Sequence, residues 1–334
     1  MRLTKKHKFS DPTPEDYVLF VFCCFPVSGQ TYNPRHTHIY YLLFIIYYFF
    51  IYSLFFPGGH MYSRVYVEIT NICNMNCSFC HGHSRKPRRM SEEEFVRVLS
   101  QLGNVTEYLY YHLMGEPLTH PELPRFLHLA NERGFKSTVT TNGTLLGKRG
   151  QEIIDAGAYK VVVSLHSFEG EAGETFEDYL TSVADFATKA SEAGIIVVLR
   201  LWNKGHDGGK NELIIDKLQK LIPGEWVESP RNIRIRDRLF LQMGDRFAWP
   251  DKDADVVSDA VFCYGMRDHF GVLCDGTVVP CCLDSDGVIA LGNIFTEDIE
   301  KIITSPRAEA MKKGFERRVP TEDMCRRCGY ATRF

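Results

Sequence analysis

The sequence lacks a dominant charge. Its 39 Lys and Arg stand against 42 Asp and Glu, leaving a formal net charge of −3 over 334 residues. No field of one sign is available for non-specific attraction to nucleic acid, and no basic face with interleaved aromatics stands out, so no nucleic-acid partner is expected. Internal repeats at solenoid periods are missing as well. So is the framework of a small secreted, disulfide-stapled domain: the eleven cysteines are spread through a long chain, and seven of them fall into two spaced groups that suit metal rather than pairing. That usage favours a reducing compartment. The length accommodates one barrel plus a smaller domain.

The first sixty residues lack the capping and periodicity of a domain. Residues 39–56 carry no charge and are crowded with Tyr, Phe, Ile and Leu, borderline in length and polarity for a membrane span. A basic start (Arg2, Lys5, Lys6, Lys8) followed by an apolar run from Tyr17 to Phe25 also allows a signal-like reading. Met61 directly precedes the first strand-like run. The expectation is therefore that translation begins at Met61 and that residues 1–60 are a mis-assigned start or dispensable, with a membrane anchor at 39–56 as the alternative.

What the sequence does have is Cys73, Cys77 and Cys80, spaced C-x-x-x-C-x-x-C just after Val65-Tyr66-Val67-Glu68-Ile69. A loop there can wrap three thiolates around one metal cluster. Cubane iron–sulfur clusters are normally held by four thiolates. Three ligands leave one iron open, the mark of a catalytic rather than a structural centre. A zinc loop, or three unremarkable thiols, is the plainer alternative.

After Met61, strand-like and helical patterns alternate. Strands are expected at 65–70, 107–114, 136–141, 160–166, 195–202 and 232–242. A capping box with Ser91 at the N-cap and Glu94 at N3 opens a helix to Leu102. Further helices are expected at 121–133, 148–156, 176–193 and 211–221. Gly134, Gly157 and Gly194 stand where helix ends need a left-handed residue. This order predicts an α/β fold, a partial (βα)6 TIM-type barrel with a parallel sheet over residues 61–245. Active sites of such barrels lie at the strand C-termini. By alternation, Tyr110, His112 and Met114 share one face, as do Val162, Ser164 and His166, and Val198, Arg200 and Trp202.

The triplet, with Phe79 before its last cysteine, resembles the signature loop of the radical S-adenosylmethionine (SAM) enzymes. The resemblance implies a 4Fe–4S cluster whose open iron binds SAM, one-electron cleavage of SAM, and hydrogen abstraction from a substrate by the resulting 5′-deoxyadenosyl radical. It implies the same (βα)6 barrel and an electron donor such as ferredoxin or flavodoxin. Export would separate such an enzyme from SAM and reductant, so a cytoplasmic location is expected.

Met114-Gly115-Glu116-Pro117 resembles the family's Gly-Gly-Glu-Pro motif, with Met114 in place of the first glycine. Gly115 and Glu116 are thereby implied as SAM contacts. Thr141-Asn142-Gly143 resembles a turn at the same place in relatives. Ser164 and Arg200 occupy positions that often contact the ribose and the carboxylate of SAM, and the planar guanidinium suits a carboxylate. His112 and His166 read as substrate contacts or as buried, satisfied histidines. The run Arg85-Lys86-Pro87-Arg88-Arg89 reads as a loop paired with the Glu-rich helix start, or as a lip for an anionic partner. Arg234, Arg236 and Arg238, on one strand face, invite the same two readings.

Residues 246–334 carry the second group. Cys263, Cys281 beyond a glycine turn, and the C-x-x-C pair Cys325 and Cys328 resemble the SPASM extension of radical SAM enzymes. The resemblance implies that these four hold an auxiliary 4Fe–4S cluster, with Cys274 and Cys282 spare. Four thiolates equally suit structural zinc. The expected function is a radical SAM oxidoreductase or maturase acting on a peptide or protein side chain. The alternative is small-molecule cofactor biosynthesis. Outside enzymes, an iron–sulfur electron carrier or zinc-stabilised binding module is the competing class.

Overall fold

The computed structural model describes residues 62–168, 175–230 and 232–333. The charge-free run 39–56 and the proposed start at Met61 lie outside these. Residues His60–Phe334 form one compact unit.

Its frame is a parallel sheet. The strands β1 (Arg64–Val67), β2 (Tyr108–Tyr111), β3 (Lys136–Thr141), β4 (Lys160–Ser164) and β5 (Ile196–Lys204) pair in sequence order, all parallel. Helices α1 (Glu92–Leu102), α2 (Leu123–Glu132), α3 (Leu146–Asp155), α4 (Phe176–Glu192) and α5 (Lys210–Leu221) connect them or lead on from β5. The α1 capping box forms as expected, with Ser91 Oγ accepting from Glu94 N and Glu94 Oε2 accepting from Ser91 N at 2.9 Å. Gly134, Gly157 and Gly194 take positive φ beyond α2, α3 and α4.

Alternation along the strands divides the residues between two surroundings. Val65, Val67, Leu109, Val139, Val161, Val163, Val197 and Leu199 join Phe95, Leu99, Phe126, Ile153 and Val183 of the helices in one apolar core. Each such side chain contributes on the order of 1.5–3 kcal/mol by leaving water. The opposite face carries Arg64, Tyr66, Tyr110, Thr138, Lys160 and Arg200, which turn into the barrel interior.

The sixth strand departs from expectation. Residues 232–242 do not form one strand but a hairpin, β7 (Ile233–Arg236) turning back into β8 (Leu239–Asp245), with short β6 (Val227–Glu228) pairing on β7. The turn is made at Arg238, whose φ is 57°. Arg238 therefore leaves the strand that carries the exposed Arg234 and Arg236, and Arg236 pairs with an acid, Glu192 of α4, at 2.9 Å. β8 completes the barrel by pairing in parallel with β5. That makes six parallel strands, the partial (βα)6 barrel.

The C-terminal segment extends this sheet from its other edge. β9 (His269–Val272) pairs in parallel with β1, and β10 (Thr277–Val279) and β11 (Gly292–Asn293) follow antiparallel. Helices α6 (Ile299–Ile303), α7 (Pro306–Glu316) and α8 (Asp323–Arg326) finish the unit. No helix among the described residues is long and apolar enough to cross a membrane.

Candidate cluster and cofactor site

The chain leaves β1 into a loop closed at its base. Thr70 bridges Arg89, and Met90 N donates to Ile69 O at 2.8 Å. Asn71 braces the interior of the loop, its Nδ2 donating to Lys86 O and its Oδ1 accepting from Arg88 N. Cys73, Cys77 and Cys80 ride on this loop, Cys73 and Cys80 exposed and Cys77 half-buried. Cys80 N donates to Cys77 O at 3.0 Å, folding the last three residues into a turn. Although Cys73 is exposed as a residue, partial desolvation of its sulfur raises the thiol, and the neighbouring Glu116 and Cys80 push it the same way.

The exits of β2 and β3 dock against the loop. Gly115 has φ +75°, and a Cβ there would stand 2.4 Å from Thr70 O. Only glycine permits this approach. Glu116 N donates to Ile72 O at 2.9 Å, and the buried Glu116 carboxylate accepts from Leu118 N and Asn142 N at 3.0 and 2.7 Å. Burial nevertheless pushes its pKa up to about 7. Asn142 in turn donates from Nδ2 to Asn74 Oδ1, between Cys73 and Cys77. The Thr-Asn-Gly turn thus grips the cysteine loop directly.

On the far side, Ser164 at the end of β4 is the register partner of Arg200 in the middle of β5. The Arg200 guanidinium lies 4.1 Å over the Trp202 ring, and its buried Nε has no hydrogen-bond partner. The ring of Phe79 packs on that of His166 at 5.0 Å, and Phe79 O accepts from Trp249 Nε1 at 3.1 Å.

Two strands are shorter than expected, which separates residues assigned to one face. β2 stops at Tyr111 because His112 N turns back to Tyr110 O at 3.0 Å, so His112 and Met114 leave its pleat. His166 falls in the 3₁₀ turn Leu165–Ser167, its Nδ1 3.1 Å from Arg200 O. His166 is thus a satisfied histidine. His112 is not: its buried Nδ1 lacks a partner, and burial together with Arg200 and Arg64 holds its pKa down to about 3.

The basic run divides in a way its charge pattern conceals. Arg88 pairs with Glu94 of α1, as expected. Arg85 instead turns inward to the fully buried Glu68, both arms at 2.7 Å, and its Nε donates to Ser285 O at 2.8 Å. Glu68 also accepts from Met114 N and Cys274 N. One buried carboxylate therefore joins β1, the cysteine loop, the β2 exit and the C-terminal hairpin. Sequence reading gave Glu68 no role; a lone acid in a Val/Ile strand was the available signal.

The C-terminal cysteines converge. Cys263, Cys281, Cys325 and Cys328 line one cavity with Val261, Ile289, Phe315 and Met324. A Cβ at Gly265 would sit 3.5 Å from Cys263 Sγ and 3.8 Å from the Cys281 Cβ, so the glycine keeps the space between them clear. Burial raises all four thiols. Such groups give up their protons to a metal rather than to water, which couples metal binding to proton release. Among the described residues, no three His, Cys, Asp or Glu side chains already close on a single metal ion. The spare cysteines lie elsewhere. Cys274 is buried beside Arg85 and Glu68, and Cys282 meets Tyr66, with burial pushing its pKa up to about 11.

A partial (βα)6 barrel with three cysteines on its first loop and four more gathered in a C-terminal extension defines an iron–sulfur enzyme class that works through SAM. Residues 67–209 match the Radical SAM superfamily, and residues 263–329 match the SPASM iron–sulfur cluster-binding domain. The chain belongs to the radical SAM superfamily, and these two domains imply 4Fe–4S clusters and SAM as its cofactors. A probable GTP 3′,8-cyclase of Methanococcus maripaludis strain C6 is 32% identical over 271 residues, covering 70% of this chain and 90% of the relative. Another from Methanothermobacter marburgensis is 26% identical over 289 residues, covering 75% and 91%. In fold, the chain resembles BtrN in complex with AdoMet and 2-DOIA, with a TM-score of 0.52 at 18% identity over 81% of this chain and 94% of that one. It also resembles Streptococcus suis SuiB bound to S-adenosylmethionine, with a TM-score of 0.51 at 18% identity over 75% and 68%.

Proposed function

We propose that the protein is an oxidising radical SAM enzyme whose substrate lies inside the barrel, between a SAM-binding cluster on Cys73, Cys77 and Cys80 and a closed auxiliary cluster on Cys263, Cys281, Cys325 and Cys328. The observation that carries this reading is the opposite orientation of two adjacent residues. Cys281 turns into the auxiliary cysteine cavity, while Cys282 meets Tyr66 on the barrel's interior face. The auxiliary centre thus abuts the space where a substrate would lie. With four protein thiolates it has no open iron, which suits it to receiving an electron rather than binding the substrate.

When bound, the first cluster and SAM supply a one-electron cleavage of a carbon–sulfur bond and a carbon radical able to remove a hydrogen atom. The chain supplies everything around that event. Gly115 would let backbone approach the cofactor's methionyl end, and Glu116 ties the β2 exit to the β3 exit by accepting from Leu118 N and Asn142 N. Arg200, with a free Nε, orients the cofactor carboxylate; Ser164 beside it takes the ribose; Phe79 and His166 close one wall. Exposed Cys73 and Cys80 leave the first cluster reachable by a small reductant such as ferredoxin or flavodoxin, as found in a cytoplasm.

For the substrate, a peptide or protein side chain is the first reading. A small molecule is the second, favoured by the named cyclases at up to 32% identity. The test is anaerobic reconstitution with iron and sulfide, addition of SAM and dithionite, and measurement of 5′-deoxyadenosine with and without GTP. 5′-Deoxyadenosine is expected without substrate. A GTP-dependent cyclised product would select the small-molecule reading, and no 5′-deoxyadenosine under any condition would overturn the enzyme reading.

A further inference from the structure

The interior of the barrel holds three cations. Arg64 from β1, Lys160 from β4 and Arg200 from β5 lie on the inward face and act on one another's surroundings: Arg64 and Arg200 both bear on Lys160 and on His112. Unpaired cations withdrawn from water are costly unless an anion accompanies them. Arg64 has its anion, Asp268 at 3.0 Å, and a further contact to Tyr66 Oη at 3.0 Å. Arg200 receives one if it holds the SAM carboxylate, a point that rests on the proposed function. Lys160 remains. It is half-buried, its side chain has no ion pair among the described residues, and burial, together with Arg200 and Arg64, pushes its pKa down.

The strand register shows what surrounds it. Tyr66 pairs with Tyr110, Tyr110 with Thr138, and Thr138 with Lys160. Four consecutive strands thus contribute one inward residue each to a single row. Thr138 is wholly buried, and its hydroxyl has no hydrogen-bond partner. Just beyond Tyr110, the buried Nδ1 of His112 also has none. Unsatisfied buried polar atoms are rare in native proteins and call for an explanation. Here one of them, Thr138, sits in the row next to the lysine, and the other, His112, lies just beyond it.

We propose that Lys160, with the hydroxyl of Thr138 and Nδ1 of His112, seats an anionic group of the substrate, a phosphate or a carboxylate, inside the barrel. The lysine supplies the charge. Thr138 donates from its hydroxyl, and neutral His112 donates if its proton is on Nδ1. Lys160 and Thr138 lie toward the N-terminal ends of their strands, Lys160 four residues before the Ser164–Arg200 pair along β4, while His112 enters from the exit of β2. The seat therefore anchors the far end of the substrate and leaves the reacting carbon toward the cofactor.

The test titrates inorganic pyrophosphate and, separately, succinate into the reconstituted full chain with SAM present, by calorimetry. SAM occupies the Arg200 end, so the probes report on the remaining cation. Wild type is expected to bind at least one probe, more weakly as salt rises. The preferred probe distinguishes a phosphate-bearing from a carboxylate-bearing substrate. Lys160→Met should weaken binding at least tenfold, and Lys160→Arg should restore most of it. Thr138→Val removes only an unpartnered hydroxyl. It should leave the melting temperature equal or higher while weakening the same probe several-fold, a split that a structural role for Thr138 would not give. Binding of neither probe, or equal binding by wild type, Lys160→Met and Thr138→Val, would overturn the proposal. Substrate-free 5′-deoxyadenosine formation by wild type, measured in parallel, reports on the radical reading separately.

Discussion

Glu68 and Arg85 meet as a two-armed ion pair, 2.7 Å on each arm, with the carboxylate wholly buried. They stand seventeen positions apart in the sequence, with the cysteine loop between them. Removing the arginine strands the charge of Glu68 and loosens the loop's return limb from the C-terminal hairpin. Arg85→Met is expected to cost about 3–5 kcal/mol, the range for breaking a buried pair from one side. Glu68→Gln in the same chain should recover part of it. Denaturant unfolding of wild type, single and double variants measures this; a single-variant loss below about 1 kcal/mol would show that the pair is solvated and not structural.

The cysteine assignment predicts a metal count. Reconstituted wild type should carry about eight irons per chain, and Cys73→Ala/Cys77→Ala/Cys80→Ala about four, with 5′-deoxyadenosine made only by wild type. Substituting Cys263, Cys281, Cys325 and Cys328 together should leave the other four irons. Zinc retained by the first variant, with no iron, would make the C-terminal site structural.

Gly115→Ala should disable the cofactor site. The left-handed backbone there costs a non-glycine residue on the order of 1–3 kcal/mol. The new methyl must also displace Thr70 O, 2.4 Å away. A shift of about 1 Å in a reacting group can cost on the order of 100-fold in rate, so that is the expected fall in 5′-deoxyadenosine formation. Gly82→Ala is the control: the same loop, φ +71°, and nothing within 4 Å of the added carbon. It should share the strain and keep most of the activity.

Two buried groups give stability opposite dependences on pH. Glu116 is ordinarily near 4.5 and is pushed up to about 7 in the fold, so the folded protein holds this proton more tightly and stability falls as pH rises through that window. His112 goes from 6.5 to about 3, so the folded protein holds that proton less tightly and stability falls as pH drops below 6.5. Between about pH 4.5 and 6.5 the two oppose each other. Thermal unfolding of Glu116→Gln should expose the histidine slope and that of His112→Gln the glutamate slope. Equal pH slopes in wild type and both variants would reject the assignment.

Much of this was legible in the sequence, for identifiable reasons. Strand–helix alternation, the Ser91–Glu94 box and the glycines after α2, α3 and α4 are local signals, and local geometry followed them. The four C-terminal cysteines line one cavity, and Cys281 rather than Cys282 faces it. What was missed depends on tertiary partners. The turn at Arg238 interrupts a run with good strand character because β8 pairs with β5 while β7 folds back antiparallel on β8. Arg85 looks like its neighbours Arg88 and Arg89, and only the fold brings Glu68 to it. The row Tyr66, Tyr110, Thr138 and Lys160 draws on four strands, and no spacing along the chain reveals it.

The pairing of β1 with β9 has a consequence for how the molecule comes to exist. Arg64 and His269 lie side by side in the sheet yet are 205 residues apart. Closing so long a loop is entropically expensive, and folds rich in such contacts assemble slowly. During synthesis the cysteine loop emerges early, but Cys274 N, which donates to Glu68, and Ser285 O, which accepts from Arg85, emerge near the end. Until then the loop proposed to carry the first cluster lacks part of its framework. Iron loading should therefore follow completion of the chain rather than accompany it, and a nascent protein stalled before residue 269 should emerge without a stable cluster.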